Sequence, residues 1–123
     1  VDGLVVHSGE SIPIVYTEYD VVDYVDNLII PGFVDTHAHA PQYCNRGLGM
    51  DKELLPWLET YTFPEEAKFI DPDYARLVYG AFVHDLWRNG TTRSILFGTI
   101  HKDSTLVLME LYKKQDCQLM WVR

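Results

Sequence analysis

Cysteine is scarce in this chain. Cys44 and Cys117 lie far apart, and neither belongs to a C-x-x-C pair. That excludes a disulfide-stapled scaffold and a cysteine-based zinc site, and fits two reduced thiols in a cytoplasmic protein. Positive charge is scarce as well: 10 Lys and Arg against 18 Asp and Glu give a formal net charge of −8, with no basic cluster. Neither a nucleic-acid backbone nor an anionic membrane surface is expected as a partner. No apolar run approaches the ~20 residues that a membrane helix needs. There is no basic-then-apolar signal segment, and the lack of an initiator Met suggests that the natural N-terminus lies upstream. Repeats of fixed period and low-complexity segments are absent too. What remains is a globular composition, 47% apolar and 13% aromatic over 123 residues, enough for one domain with a modest core.

The first 27 residues carry short β-branched and aromatic runs: Leu4 to Val6, Ile12 to Tyr16, and Val21 to Val25, punctuated by Gly3, Gly9 and Pro13. They read as strands of a small β unit. Leu28-Ile29-Ile30, a Pro31-Gly32 turn and Phe33 to Thr36 read as strand, turn and a more buried strand. Asp51 is expected to cap a short helix through Leu54, Leu55, Trp57 and Leu58, limited by Pro56. The clearest helix follows Asp71-Pro72-Asp73, with Leu77, Val78, Ala81, Phe82 and Leu86 at helical spacing and Asn89-Gly90 as its stop. Thr91 to Phe97 reads as a strand. A helix capped by Asp103 follows, carrying Leu106, Val107, Met109, Leu111 and Tyr112, and then a strand from Gln118 to Val122. Alternating strands and helices with short links are the pattern of parallel β/α units.

Pro31-Gly32-Phe33-Val34-Asp35-Thr36-His37-Ala38-His39-Ala40 carries the chemistry. Residues i and i+2 of a strand point to one side, about 6–7 Å apart along it, so His37 and His39 face one space. Two imidazoles so placed suit zinc, iron or nickel. In a (β/α)₈ barrel such residues sit at the C-terminal ends of strands, where active sites gather. A complete barrel takes about 250 residues, and this chain supplies about three of its strands.

The run from Ile30 to His39 resembles the opening of the amidohydrolase superfamily barrel. Within that superfamily the continuation is similar to the guanine-deaminating members. The supporting residues are His39-Ala40-Pro41-Gln42-Tyr43, Leu54-Leu55-Pro56-Trp57-Leu58, Tyr61-Thr62-Phe63-Pro64-Glu65, Asn89-Gly90-Thr91-Thr92-Arg93 and Thr99-Ile100-His101-Lys102-Asp103-Ser104. The resemblance covers residue 28 to the end. It implies an α/β fold, the first part of a (β/α)₈ TIM-type barrel over 28–123, preceded by part of a small β-sandwich domain over 1–27. It also implies a zinc-dependent hydrolysis of guanine to xanthine and ammonia, in a cytoplasmic homodimer. By matching position, His37 and His39 would be two metal ligands. His39, Ala40, Pro41 and Gln42 would meet the purine, with Ala40 and Pro41 as a wall. Bound zinc lowers the pKa of its water toward ~7, and glutamine offers the donor and acceptor that a purine edge requires. The remaining metal ligands and the proton-shuttling glutamate of such enzymes lie on strands this chain does not reach. No catalytic acid is therefore expected here, and residues 1–123 alone are expected to be inactive.

Other residues are weighed on position. His101 lies just past a strand end, where it reaches the pocket mouth or joins a hydrogen-bond network before Asp103; Trp57 and Phe63 are further candidates for the mouth, although aromatics at such spacing are more often core. Glu65-Glu66 and Asp71-Asp73 read as solvated helix starts. Cys44, in a loop past the strand, is not expected as a ligand, nor are His7 and His84. A neighbouring specificity (methylthioadenosine, cytosine or a chlorinated triazine) and a non-catalytic scaffold of the same fold remain as alternatives, disfavoured by Gln42 and by the intact histidines respectively.

Overall fold

The computed structural model of the chain describes residues 4–115 and 118–121, with side chains through residue 115. Two units separate by their internal contacts, Val1–Ile30 and Pro31–Arg123.

In the first unit, the strands expected over Leu4 to Val6, Ile12 to Tyr16, Val21 to Val25 and Leu28 to Ile30 do not form among the described residues. The regular structure there is one 3-10 turn, Ile14–Tyr16, with Thr17 Oγ1 donating to the Ile14 carbonyl at 2.8 Å. A second turn closes where Asn27 N donates to Tyr24 O at 2.8 Å and Asp26 takes a left-handed φ of 63°. The physical reason is pairing. A strand is stable only as part of a ladder, and a β-rich composition without a paired neighbour leaves Leu4, Val5, Val21, Val22 and Leu28 exposed.

The second unit is a parallel three-stranded sheet, ordered β1 (Phe33–His39), β2 (Thr91–Phe97) and β3 (Gln118–Trp121). Helix α3 (Pro72–Arg88) connects β1 to β2 after a run of shorter helical turns, and α4 (Lys102–Lys114) connects β2 to β3. This is the β/α alternation the sequence pattern predicts. Asp71 caps α3 as expected, Oδ1 accepting from Asp73 N at 2.9 Å, and Gly90 ends the connection with a φ of 81°. The buried stripe of α3 differs from the expected one. Ala75, Val78, Tyr79, Phe82 and Val83 are buried, while Leu77 and Ala81 face outward. Tyr79 substitutes for Leu77 because an aromatic ring fills the space between sheet and helices, where it meets Phe69 at 4.8 Å between ring centres.

Two helix starts also differ. Residues 49–52 form a turn, Lys52 N donating to Gly49 O at 2.9 Å, so α1 (Leu54–Trp57) begins after Glu53 and Asp51 caps nothing. Helix α4 begins after His101, which leaves Asp103 inside the first turn, where the helix dipole favours an acid.

Pro56 does not limit the first helical stretch. It lies in the first turn, where its missing N–H costs no internal bond. The chain runs on through a π-turn, Leu58–Thr62, into α2 (Phe63–Ala67) and a 3-10 turn, Lys68–Ile70. Pro64 accounts for the π-turn: proline cannot donate to the carbonyl four residues back and its ring crowds it. Phe63 N reaches instead to Leu58 O.

Helices α3 and α4 cover the face of β2 that carries Ser94 and Leu96, both fully buried; Tyr112 Oη donates to Ser94 Oγ at 2.8 Å. Ser104 Oγ, also buried, donates to the Phe69 carbonyl and ties α4 to the 3-10 turn. Ser104→Ala leaves that carbonyl buried without its donor. The loss expected is about 1–3 kcal/mol of unfolding free energy, measured by urea denaturation.

Candidate active site

Strand alternation puts His37, His39 and Phe97 on the side of the sheet away from Ser94 and Leu96. The β1–β2 register pairs His39 with Phe97. The His39 ring stacks on the Phe97 ring, centres 4.6 Å apart and planes 14° off parallel; His37 meets the same ring edge-on at 5.2 Å. The two imidazoles are 5.2 Å apart. Phe97 is thus a shared floor, which sequence reasoning treated only as a strand residue. Its signal was available: it ends the strand that parallel pairing lays beside β1.

The ladder is interrupted between Asp35 and Ala38. There the Asp35 carboxylate turns back and accepts from His37 N at 3.0 Å. The local side-chain bond competes with the ladder and sets the approach of His37.

His39 ends the strand, and a 3-10 turn, Ala40–Asn45, starts at once with Pro41 near its beginning. Ala40 is fully buried in the hydrophobic core and Pro41 is buried as well. The wall expected of these two side chains is therefore a support from beneath, because the 3-10 turn points them inward. Gln42 is half-buried, its amide 3.3 Å from His39 Nδ1. An amide presents an NH₂ group and, after a half-turn, a carbonyl oxygen. In the second arrangement Nδ1–H donates and Nε2 keeps its lone pair for a metal. The turn is clamped at its far end. Tyr43 Oη donates to Asp85 on α3, Arg46 lies 3.7 Å over the Tyr43 ring, and Asn45 Nδ2 donates to Thr62 Oγ1 at 3.1 Å.

Burial, followed by the charge of His37, holds the His39 imidazole below its ordinary pKa, against an opposing pull from Glu66. The neutral ring that metal ligation requires is favoured. Among the described residues no group of three or more His, Cys, Asp or Glu could hold a metal ion. The donor set fits a zinc-like ion in part: two imidazoles facing one space, one kept neutral and steadied through its second nitrogen. Cys44 is no candidate ligand, being exposed with Tyr74 Oη at 3.8 Å from its sulfur; Cys117 lies outside the described residues.

His101 and Trp57 part company. His101 lines a cavity of about 490 Å³ with Phe63, Glu66, Ala67, Ile70, Thr99 and Ile100, in the segment that follows Phe97. Trp57 instead lines a separate hollow of about 280 Å³, where its Nε1 donates to Leu48 O at 2.7 Å. It pins the Gly47-Leu48-Gly49 loop, so the expectation of Trp57 at the mouth is corrected. Glu66 is the other correction. It stands in the first turn of α2, a helix start as expected, but is half-buried and lines the His101 cavity instead of being solvated.

Parallel β/α units with an H-x-H at a strand's C-terminal end define a class, and the profile of the Amidohydrolase family matches residues 28–122: the chain belongs to that family. It is similar to guanine deaminase of Dictyostelium discoideum, 50% identical over 95 residues, and to that of Escherichia coli, 47% over 90 residues; these cover 77% and 73% of this chain and 21% and 20% of the relatives. Among solved structures it is similar to guanine deaminase from C. acetobutylicum with guanine bound in the active site. The TM-score there is 0.93 at 50% identity, over 98% of this chain and 29% of that one. The chain thus spans about a fifth of the length of the curated relatives it matches.

Phe97→Ala should remove the floor under both rings. In the full-length protein, divalent-metal affinity measured against a competing chelator is expected to fall about tenfold or more, as it does when outer support of ligand histidines is lost.

Proposed function

We propose that the full-length protein deaminates guanine hydrolytically, giving xanthine and ammonia. The observation that carries the reading is the conjunction of the His37/His39 pair with Gln42 against His39, in a chain half identical in sequence to guanine deaminases. A zinc ion bound there supplies an activated water and a Lewis acid.

The chain's own residues have distinct work. His37 and His39 offer two of the ion's ligands, and Phe97 fixes the angle between them. Gln42 steadies His39 and, when a purine enters, presents its amide to the ring edge. A closed polar contact of this kind also discriminates, since leaving it unpaired costs about 1–3 kcal/mol. Ala40 and Pro41 hold this turn against the core. On this reading His101 serves the pocket mouth, a role supported by its place in the wall of the neighbouring cavity.

Further ligands and the proton-shuttling glutamate come, on this reading, from later strands of a (β/α)₈ barrel that β1 to β3 open, so residues 1–123 by themselves are inactive. Residues 1–27 contribute to a small β domain, and the enzyme is a cytoplasmic homodimer. No helix among the described residues is long and apolar enough to cross a membrane.

Turnover of guanine, adenine and cytosine by the full-length protein should be compared directly. Guanine is expected to dominate, and preference for either competitor refutes the proposal. Chelation should abolish activity and zinc restore it; full activity with no divalent ion detected by elemental analysis would refute the metal assignment.

A further inference from the structure

The 3-10 turn Ala40–Asn45 is six residues long. Runs of this helix beyond three or four residues are uncommon, because its hydrogen bonds are poorly aligned and side chains three apart eclipse one another. Eclipsing shapes both ends of the turn. Gln42 lies three residues after His39, which brings its amide to 3.3 Å from Nδ1. Arg46 lies three residues after Tyr43, which sets its guanidinium 3.7 Å over the phenol ring.

Arg46 also joins the two ends of Tyr43. One of its terminal nitrogens donates to the Tyr43 carbonyl at 3.2 Å. The other stands 3.9 Å from Asp85 Oδ2, the same oxygen that accepts from the Tyr43 hydroxyl. Phe82 meets the ring edge-on at 5.7 Å. A hollow of about 220 Å³ adjoins the ring, lined also by Phe82, Asp85, Leu86 and Asn89, so packing does not close around it and polar contacts carry the alignment. The Arg46–Asp85 pair is open to water and contributes little by itself. The bond from phenol to carboxylate is charge-assisted and the stronger of the two. Asp85 therefore acts through the hydroxyl.

Resting on the guanine reading above, we propose that Tyr43, held by Asp85 and Arg46, is a positioning residue for substrate selection: it sets the direction of the Gln42 amide. A 3-10 turn advances about 120° per residue, so the direction of Tyr43 fixes that of its neighbour. Released from the clamp, the turn relaxes toward the wider spacing of an α-helix. Over three residues that relaxation swings Gln42 by about 60° relative to His39. The amide then no longer meets the purine edge at a fixed angle.

The test is a double-mutant cycle in the full-length enzyme with divalent metal saturating. Y43F keeps the ring and loses the hydroxyl. KM for guanine should rise about tenfold, with kcat and metal content within about twofold of wild type. Q42A should raise KM at least as much. Y43F added to Q42A should raise it no further, because the group that Tyr43 aims is gone. D85N keeps shape and weakens the acceptor; its rise should be smaller and should also vanish beside Q42A. An unchanged KM in Y43F overturns the proposal, and where Y43F does not fold an unchanged KM in D85N does so. A rise by the same factor with and without Gln42 also overturns it, being the mark of a general structural role. Loss of bound metal in Y43F does the same, since the clamp would then support the metal site. If the wild type prefers another heterocycle, only the guanine reading fails, and the same cycle run on that substrate decides the role of Tyr43.

Discussion

Parallel pairing of β1 with β2 is the constraint on which the site depends. The register that sets His39 beside Phe97 gives both imidazoles a common aromatic floor, and it places the Thr99-to-His101 segment at the same end of the sheet. Nothing in the H-x-H itself could hold two side chains at a fixed angle. Aromatic stacking and edge contacts of this kind are individually modest, about 0.5–1.5 kcal/mol, but they act on the orientation of the very rings that would meet a metal.

Behind the site, the core is made by α3 and α4 on the Ser94/Leu96 face, with Tyr79, Phe82, Leu108 and Tyr112 filling the layer. Two buried polar pairs in this layer join elements, Tyr112 with Ser94 and Ser104 with the Phe69 carbonyl, whereas the buried Tyr79 hydroxyl has no hydrogen-bond partner among the described residues. The 3-10 turn that carries Gln42 is likewise anchored to α3 through Tyr43 and Asp85, and to the π-turn through Asn45 and Thr62. Positioning of the amide beside His39 is therefore a property of the packed unit, not of the turn alone.

Much of this was legible in the sequence because it is local. Pro31 to Gln42 is one continuous stretch whose strand, turn and histidine spacing follow from residue types in order, and α3 announces itself through Asp71-Pro72 and Asn89-Gly90. Elsewhere the local signal misled. The runs in residues 4–25 have strand composition, but composition cannot supply a partner strand. Asp51 and Asp103 are good capping residues in positions where turn geometry placed the helix start elsewhere. Phe97 beneath the histidines and Glu66 in the cavity wall were missed for a different reason: one is brought in by register between strands distant in sequence, the other by helical phase. Trp57 stands beside a recognisable block, yet sequence proximity could not reveal that its indole N–H is held by Leu48 O.

The π-turn at Leu58–Thr62 has a consequence for how this stretch tolerates change. A residue added to a helical turn swings everything after it by about 100° around the axis. Glu65 and Glu66 are adjacent, so that angle is the whole difference between the acid that pairs with Lys68 and Tyr74 and the acid that looks into the cavity. The turn behaves as an angular vernier. A one-residue deletion within it would carry Glu66 into the direction Glu65 now takes and leave the cavity facing Ala67.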